Sequence, residues 1–226
     1  GDNSSGQLGD GSGESSNLPV QVTGLQGVVA IGAGLLFSVA ACADGTVWAW
    51  GDNGAGQLGD GTQEDREVPV QVQRLSRVIR LSGGMQHVVA LREDGTVWAW
   101  GGNVYGQLGD GTTISRSTPV LLEGLDGVVD LFAGRYHSMA LQANGMVWTW
   151  GDNDVGQLGD GTDASSWEPQ AITGLPAIVS IGGGWYHSLV ASADGALWSW
   201  GDNRYGQLGI GSAEGKNVPT PVASLP

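Results

Sequence analysis

The chain has 226 residues, 23 of them acidic and 9 basic, for a formal net charge of −14. So acidic a surface repels phosphate backbones and argues against nucleic-acid binding. One cysteine, Cys42, allows no internal disulfide, and no apolar run reaches the length of a membrane-spanning helix.

Glycine, at 41 residues, is far above ordinary usage without a collagen triplet, which favours short strands joined by tight turns. Val47 to Gly61 recurs at Val97 to Gly111, Val147 to Gly161 and Leu197 to Gly211, always 50 residues on, and Gly1 to Gly11 is a partial copy. A fixed period of this size marks a repeat array. Because the chain opens in mid-repeat, it is expected to be a piece of a longer protein.

In chain order, residues 1–17 read as the end of a repeat loop. Leu18 to Val22 then reads as an edge strand opened by Pro19, with copies at Val68 to Val72, Thr118 to Leu122, Glu168 to Ile172 and Val218 to Val222. Val28-Val29-Ala30-Ile31 and its copies alternate with period two, as strands do. A glycine-rich bend follows, then a second strand, Ser38 to Cys42. Asp44-Gly45, Asp94-Gly95, Asn144-Gly145 and Asp194-Gly195 signal hairpin turns with positive φ at both central residues. The next strand carries a tryptophan pair: Trp48 and Trp50, Trp98 and Trp100, Trp148 and Trp150, Trp198 and Trp200. Members of a pair share a sheet face, and the eight rings are expected to dominate the core.

Apolar residues on both faces of a four-stranded meander call for radial stacking. The fold class is therefore all-β: a β-propeller of four-stranded antiparallel blades, four of them complete, in an open arc. The expected blades are 28–72, 78–122, 128–172 and 178–222, with 1–22 as the loop and outer strand of an incomplete preceding blade, all one repeat domain over 1–226. Open blade edges offer a route to self-association.

The pattern Trp-Gly-x-Asn-x-x-Gly-Gln-Leu-Gly-x-Gly, then Pro-Val, then Gly-x-x-His-Ser-x-Ala-Leu, clearest at Trp100 to Gly111, Pro119-Val120 and Gly134 to Leu141, resembles the repeat of the regulator of chromosome condensation family. The resemblance covers essentially the whole chain and implies part of a seven-bladed ring. Family members include a nucleotide-exchange factor for a small GTPase that binds chromatin, a plant UV-B photoreceptor and a bacterial β-lactamase inhibitor protein; the repeat alone transfers none of these roles.

Single motifs carry little chemistry. Gly54 to Gly59 fits a dinucleotide fingerprint by letter, but no helical pattern follows. Asp60, Asp110 and Asp160 lack the close-set carboxylates of a calcium loop. His87, His137 and His187 recur without an orienting carboxylate and are read as holding their own loops by hydrogen bonds. Trp185 occurs once, in Gly184-Trp185-Tyr186-His187, which resembles the photoreceptor's Gly-Trp-Arg-His; Tyr186 in place of Arg removes the cation that would flank the ring. No enzyme activity, cofactor or metal is expected.

Positions that change from copy to copy are free for function. Those at the bends are Leu35, Leu36, Phe37, Met85, Gln86, Arg135, Tyr136, Trp185 and Tyr186. In the long loops they include Tyr105, Arg204 and Tyr205. Alternating connections bring both sets to one rim, with the aromatic and arginine content of interface anchors. The leading expectation is a non-enzymatic scaffold that binds another protein through this rim, with nucleic acid and membrane excluded. The alternatives are guanine-nucleotide exchange on a small GTPase and inhibitor-type binding of a secreted enzyme.

Overall fold

Each 50-residue unit folds into one four-stranded antiparallel sheet whose strands lie in chain order. The computed structural model describes residues 1–222. The first sheet holds β1 (Val28–Ala33), β2 (Phe37–Cys42), β3 (Val47–Gly51) and β4 (Arg66–Gln71). The second holds β5 (Val78–Gly83), β6 (His87–Arg92), β7 (Val97–Gly101) and β8 (Arg116–Leu122). The third holds β9 (Val128–Ala133), β10 (His137–Gln142), β11 (Val147–Gly151) and β12 (Ser166–Ala171). The fourth holds β13 (Ile178–Gly183), β14 (His187–Ser192), β15 (Leu197–Gly201) and β16 (Lys216–Pro221).

The first strands line the axis: β1 packs on β5, β5 on β9 and β9 on β13. The sheets form an open arc. Ile31 on β1 is 75% exposed, whereas Leu131, at the same place two blades on, is 8% exposed and covered by its neighbour. At the other end Leu189 is 36% exposed, against 0% for Met139. Apolar cores lie between adjacent blades: Val47, Leu58 and Val72 of the first blade meet Val88 and Trp100 of the second.

The bends at the axis must be glycine. A Cβ on Gly34 would stand 2.5 Å from the Gly84 carbonyl oxygen, and one on Gly84 would stand 2.5 Å from that of Gly134. The blades approach backbone to backbone there.

Several local expectations are corrected. Leu18 to Val22 is not a strand: no other strand pairs with it, and an isolated strand has no ladder to stabilise it. The outer strands begin two residues earlier than the proline pattern suggests, because Gly51, at φ 109°, bends the chain so that its ladder partner is Arg66. Pro69 therefore sits inside β4 rather than at its start. β4 is the outermost strand, where a missing N–H breaks no ladder bond.

The hairpin turns are not the two-residue type. Gly45 has φ 88° but Asp44 is not left-handed. The Gly45 amide donates to Cys42 O at 2.9 Å, and Asp44 Oδ1 accepts from the Thr46 amide at 2.9 Å and from Thr46 Oγ1 at 2.7 Å. This is a three-residue loop closed by a glycine bulge.

The tryptophan pairs are unequal. Trp50, Trp100, Trp150 and Trp200 are 6%, 0%, 0% and 0% exposed; Trp48, Trp98, Trp148 and Trp198 are only half-buried. Each fully buried indole crosses a blade boundary: Trp100 Nε1 donates to Gln57 O at 2.8 Å, Trp150 to Gln107 O at 2.9 Å and Trp200 to Gln157 O at 2.9 Å. The partial copy at the start serves the same purpose, since Trp50 donates to Gln7 O at 3.0 Å. The outer members stay at home: Trp48 and Trp98 donate to Thr46 and Thr96 Oγ1 at 2.8 and 3.1 Å.

Candidate functional site

The rim is built by pinning each long β3–β4-type loop to the bend of its own blade. The amides of Asp52, Gly102, Asp152 and Asp202 donate to Leu36 O, Gln86 O, Tyr136 O and Tyr186 O at 2.9, 2.7, 2.9 and 2.8 Å. One buried asparagine shapes each loop. Asn103 Oδ1 accepts from the Leu108 amide at 2.9 Å, while its Nδ2 donates to Asp110 Oδ1 at 3.1 Å, Thr112 O at 3.0 Å and Ile114 O at 3.2 Å. The Gln107 side chain accepts from the Tyr105 amide at 2.9 Å. Residues 104 and 105 are left at the tip, both exposed.

Bends and tips meet across the second, third and fourth blades. Tyr105 and Tyr136 stack with centroids 4.7 Å apart and planes inclined at 35°. The Arg135 guanidinium carbon lies 5.1 Å from the Tyr136 ring centroid, 5.4 Å from that of Trp185 and 5.2 Å from that of Tyr186. Its Nε donates to Met85 Sδ at 3.2 Å and its Nη1 donates to the Tyr186 hydroxyl. Among the described residues no carboxylate lies within 4.0 Å of it. Backbone bonds join the bends in a row, Met85 N to Arg135 O at 3.1 Å and Arg135 N to Trp185 O at 3.0 Å. The Trp185 ring thus has its flanking cation after all, supplied by the neighbouring blade rather than by the next residue.

The bends also ring a cavity of about 360 Å³ on the axis, whose lining includes the four bend glycines with Leu35, Met85, Phe132, Arg135 and Trp185. Phe132 was not among the expected residues. Its counterparts are Gly32, Ser82 and Gly182, so comparison of the copies one position before the bend would have found it.

The other expected positions are dispersed. Phe37 is 1% exposed and belongs to the core between the first two blades; an aromatic ring at the histidine position packs inward, so it is removed from the rim. Leu36 and Gln86 are half-buried. Arg204 is paired with Asp202 at 2.9 Å, and Tyr205, 90% exposed, stands on the last blade.

Equivalent rim acids differ in character. Burial pushes the Asp152 carboxyl up, aided by the charge of Asp154, against hydrogen bonds from the Asp154 amide and Gln157. Asp202 is also pushed up by burial, but Arg204, which replaces Asp154 in the next copy, holds it below the usual carboxylate range.

The histidines do not hold their own loops. His87 Nε2 meets Ser138 Oγ at 3.0 Å and His137 Nε2 meets Ser188 Oγ at 3.1 Å, each across a blade boundary. All four residues are 0% exposed and both serine hydroxyls donate to glutamine carbonyls at 2.9 and 2.8 Å. A serine so occupied and so covered is no nucleophile for a substrate. Among the described residues no three His, Cys, Asp or Glu side chains gather to hold a metal, and no helix is long and apolar enough to cross a membrane.

The family described as the RCC1-like domain matches residues 1–226. The comparison with curated proteins gives no match. Among solved structures, human WBSCR16 is similar with a TM-score of 0.86 at 25% identity, over 98% of this chain and 61% of that one. Prp20p from Saccharomyces cerevisiae, studied for its binding properties to Gsp1p and histones, is similar with a TM-score of 0.80 at 25% identity, over 91% of this chain and 53% of that one. The yeast RCC1 (Prp20) bound to Kap60 gives 0.76 at 24% identity, over 87% and 49%. The chain spans between about half and three fifths of the length of these solved relatives.

Proposed function

The chain belongs to the RCC1-like domain family, and from that premise we propose that it is a non-enzymatic propeller scaffold that binds another protein through the rim centred on Arg135. The observation that carries this reading is the gathering of Tyr105, Arg135, Tyr136, Trp185 and Tyr186 from two blades and one long loop into a single surface cluster, in which Tyr105 and Trp185 are exposed and the other three half-buried. Tyrosine, tryptophan and arginine are the side chains that anchor protein interfaces. Trp185 is 60% exposed and Tyr105 38%, although the fold has ample interior for aromatic rings. Among the described residues the same end of the arc carries no recurring acid–base pair; His87 and His137 are sealed between blades, and His187 on the last blade is half-buried.

The test is affinity capture with the whole chain, followed by titration of the purified partner. Replacing Tyr136 and Trp185 together with alanine should weaken binding at least tenfold while the melting temperature moves by no more than about 2 °C. Unchanged affinity removes the rim from the interface.

A further inference from the structure

We propose that the axial cavity at the rim receives the C-terminal residue of the partner protein, its apolar side chain in the cavity and its carboxylate on Arg135. This rests on the reading of the rim as a protein-binding surface and names what enters it.

Three observations converge. First, the cavity, at about 360 Å³, falls in the range of small-ligand sites. Its walls are apolar at Leu35, Met85, Phe132 and Trp185, and its four bend glycines contribute backbone only. Second, Arg135 is a lining residue with unspent capacity. A guanidinium has five N–H donors; Arg135 uses one on Met85 and one on Tyr186, and among the described residues no acid neutralises it. Arg74, Arg77 and Arg80 also have no carboxylate within 4.0 Å among the described residues, but of the four only Arg135 lines the cavity. Third, three aromatic rings fix its plane, so the fork is ordered before a ligand arrives. A pre-set fork is suited to bidentate capture of a carboxylate.

The cation and the apolar walls bound one cavity, so the ligand must carry both groups close together. A chain end does so on a single carbon atom, whereas an internal acidic side chain holds its carboxylate away from its apolar neighbours. Repulsion from the other acids is screened beyond about 8 Å at physiological salt and does not oppose a contact made directly on Arg135.

The probes are N-acetyl-phenylalanine, its C-terminal amide, and an N-acetyl, C-amidated Phe-Glu dipeptide as an internal acid. They are titrated into the intact chain while the Arg135 Nε–H and Trp185 indole N–H resonances are followed by NMR. The free acid should shift both with a Kd on the order of 1 mM, and the amide and the internal acid should bind at least tenfold more weakly. Arg135→Gln should abolish the response, and Arg135→Lys, which keeps the charge but not the fork, should restore only part of it. Equal binding of acid and amide, equal binding of the internal acid, or a response that survives Arg135→Gln overturns the proposal. If the free acid moves neither resonance while the Tyr136 and Trp185 variant still loses the partner, the cavity reading falls and the rim reading stands.

Discussion

His87 Nε2 lies 3.0 Å from Ser138 Oγ, 51 positions further along the chain, in a contact wholly out of water. The Ser138 hydroxyl spends its hydrogen on Gln107 O, so it can only accept from the imidazole. Nε2 therefore carries the ring proton, and the buried Nδ1 has no partner; His137 and Ser188 repeat the arrangement. In the first blade Phe37 stands at the histidine position, and Val88 replaces the serine that would face it. The pair changes together, as a contact should.

Acid should weaken the fold through these histidines. Burial lowers His87 and His137 each to about 3, with the charges of His87 and His187 adding to the effect at His137. In the unfolded chain both titrate near 6.5, so below that pH the unfolded state binds more protons and stability falls. The contribution is complete above about pH 6.5 and is lost progressively down to about pH 3, at roughly 2 kcal/mol per histidine by pH 5. Urea midpoints at pH 7 and pH 5 measure it. The His87→Phe, His137→Phe double variant, which copies the residue found at Phe37, should show a clearly smaller acid loss than the parent.

Trp100→Ala should cost about 3–5 kcal/mol, because it empties a fully buried site and orphans the Gln57 carbonyl. Trp98→Ala, on the half-buried member of the pair, should cost less than half as much. Equal losses in urea denaturation would contradict the division of labour within the pair.

Trp148 Nε1 is buried without an acceptor, because Met146 stands where Thr46 and Thr96 receive the corresponding indoles. Met146→Thr should therefore stabilise the third blade by about 1 kcal/mol, read as a raised urea midpoint with an unchanged slope. A neutral or lower midpoint counts against that hydrogen bond.

Gly84→Ala should destabilise by about 2–3 kcal/mol, since its Cβ would stand 2.2 Å from His87 Cε1 and 2.5 Å from Gly134 O. Gly182→Ala, with nothing within 4 Å of the new methyl, should fall within about 0.5 kcal/mol of the parent. Thermal melts of the two proteins side by side decide the point.

Asn103→Ala should cost at least about 2 kcal/mol by leaving buried groups of its loop unpaired. The Leu108 amide, bonded only through that side chain's oxygen, should lose its protection from hydrogen exchange.

The repeat made the blades legible, because its 50-residue spacing repeats period-two strands and turn residues without insertion. What it hid were relations between copies. Nothing in Trp48 and Trp50 as letters says that one indole reaches a carbonyl of the preceding unit while the other stays on its own hairpin. The left-handed Gly45 was readable from Asp-Gly, but the conformation of Asp44 depends on a side-chain bond to Thr46. At the rim, variability pointed to Tyr136 and Trp185 and equally to Phe37, which packs inward. That Arg135 would lie against Trp185 was illegible, since it requires knowing which bends become neighbours across a boundary.

The boundary itself is written by one short segment each time: Gln57, Gln107 and Gln157 present their carbonyls to the indole of the following blade. Every seam is therefore interchangeable in its backbone chemistry. Excision of residues 78–127 would set Gln57 opposite Trp150, which already makes that bond to Gln107. Gene-level gain or loss of whole units can lengthen or shorten such an array without inventing a new joint, and selection is left to adjust only the side chains at the crown.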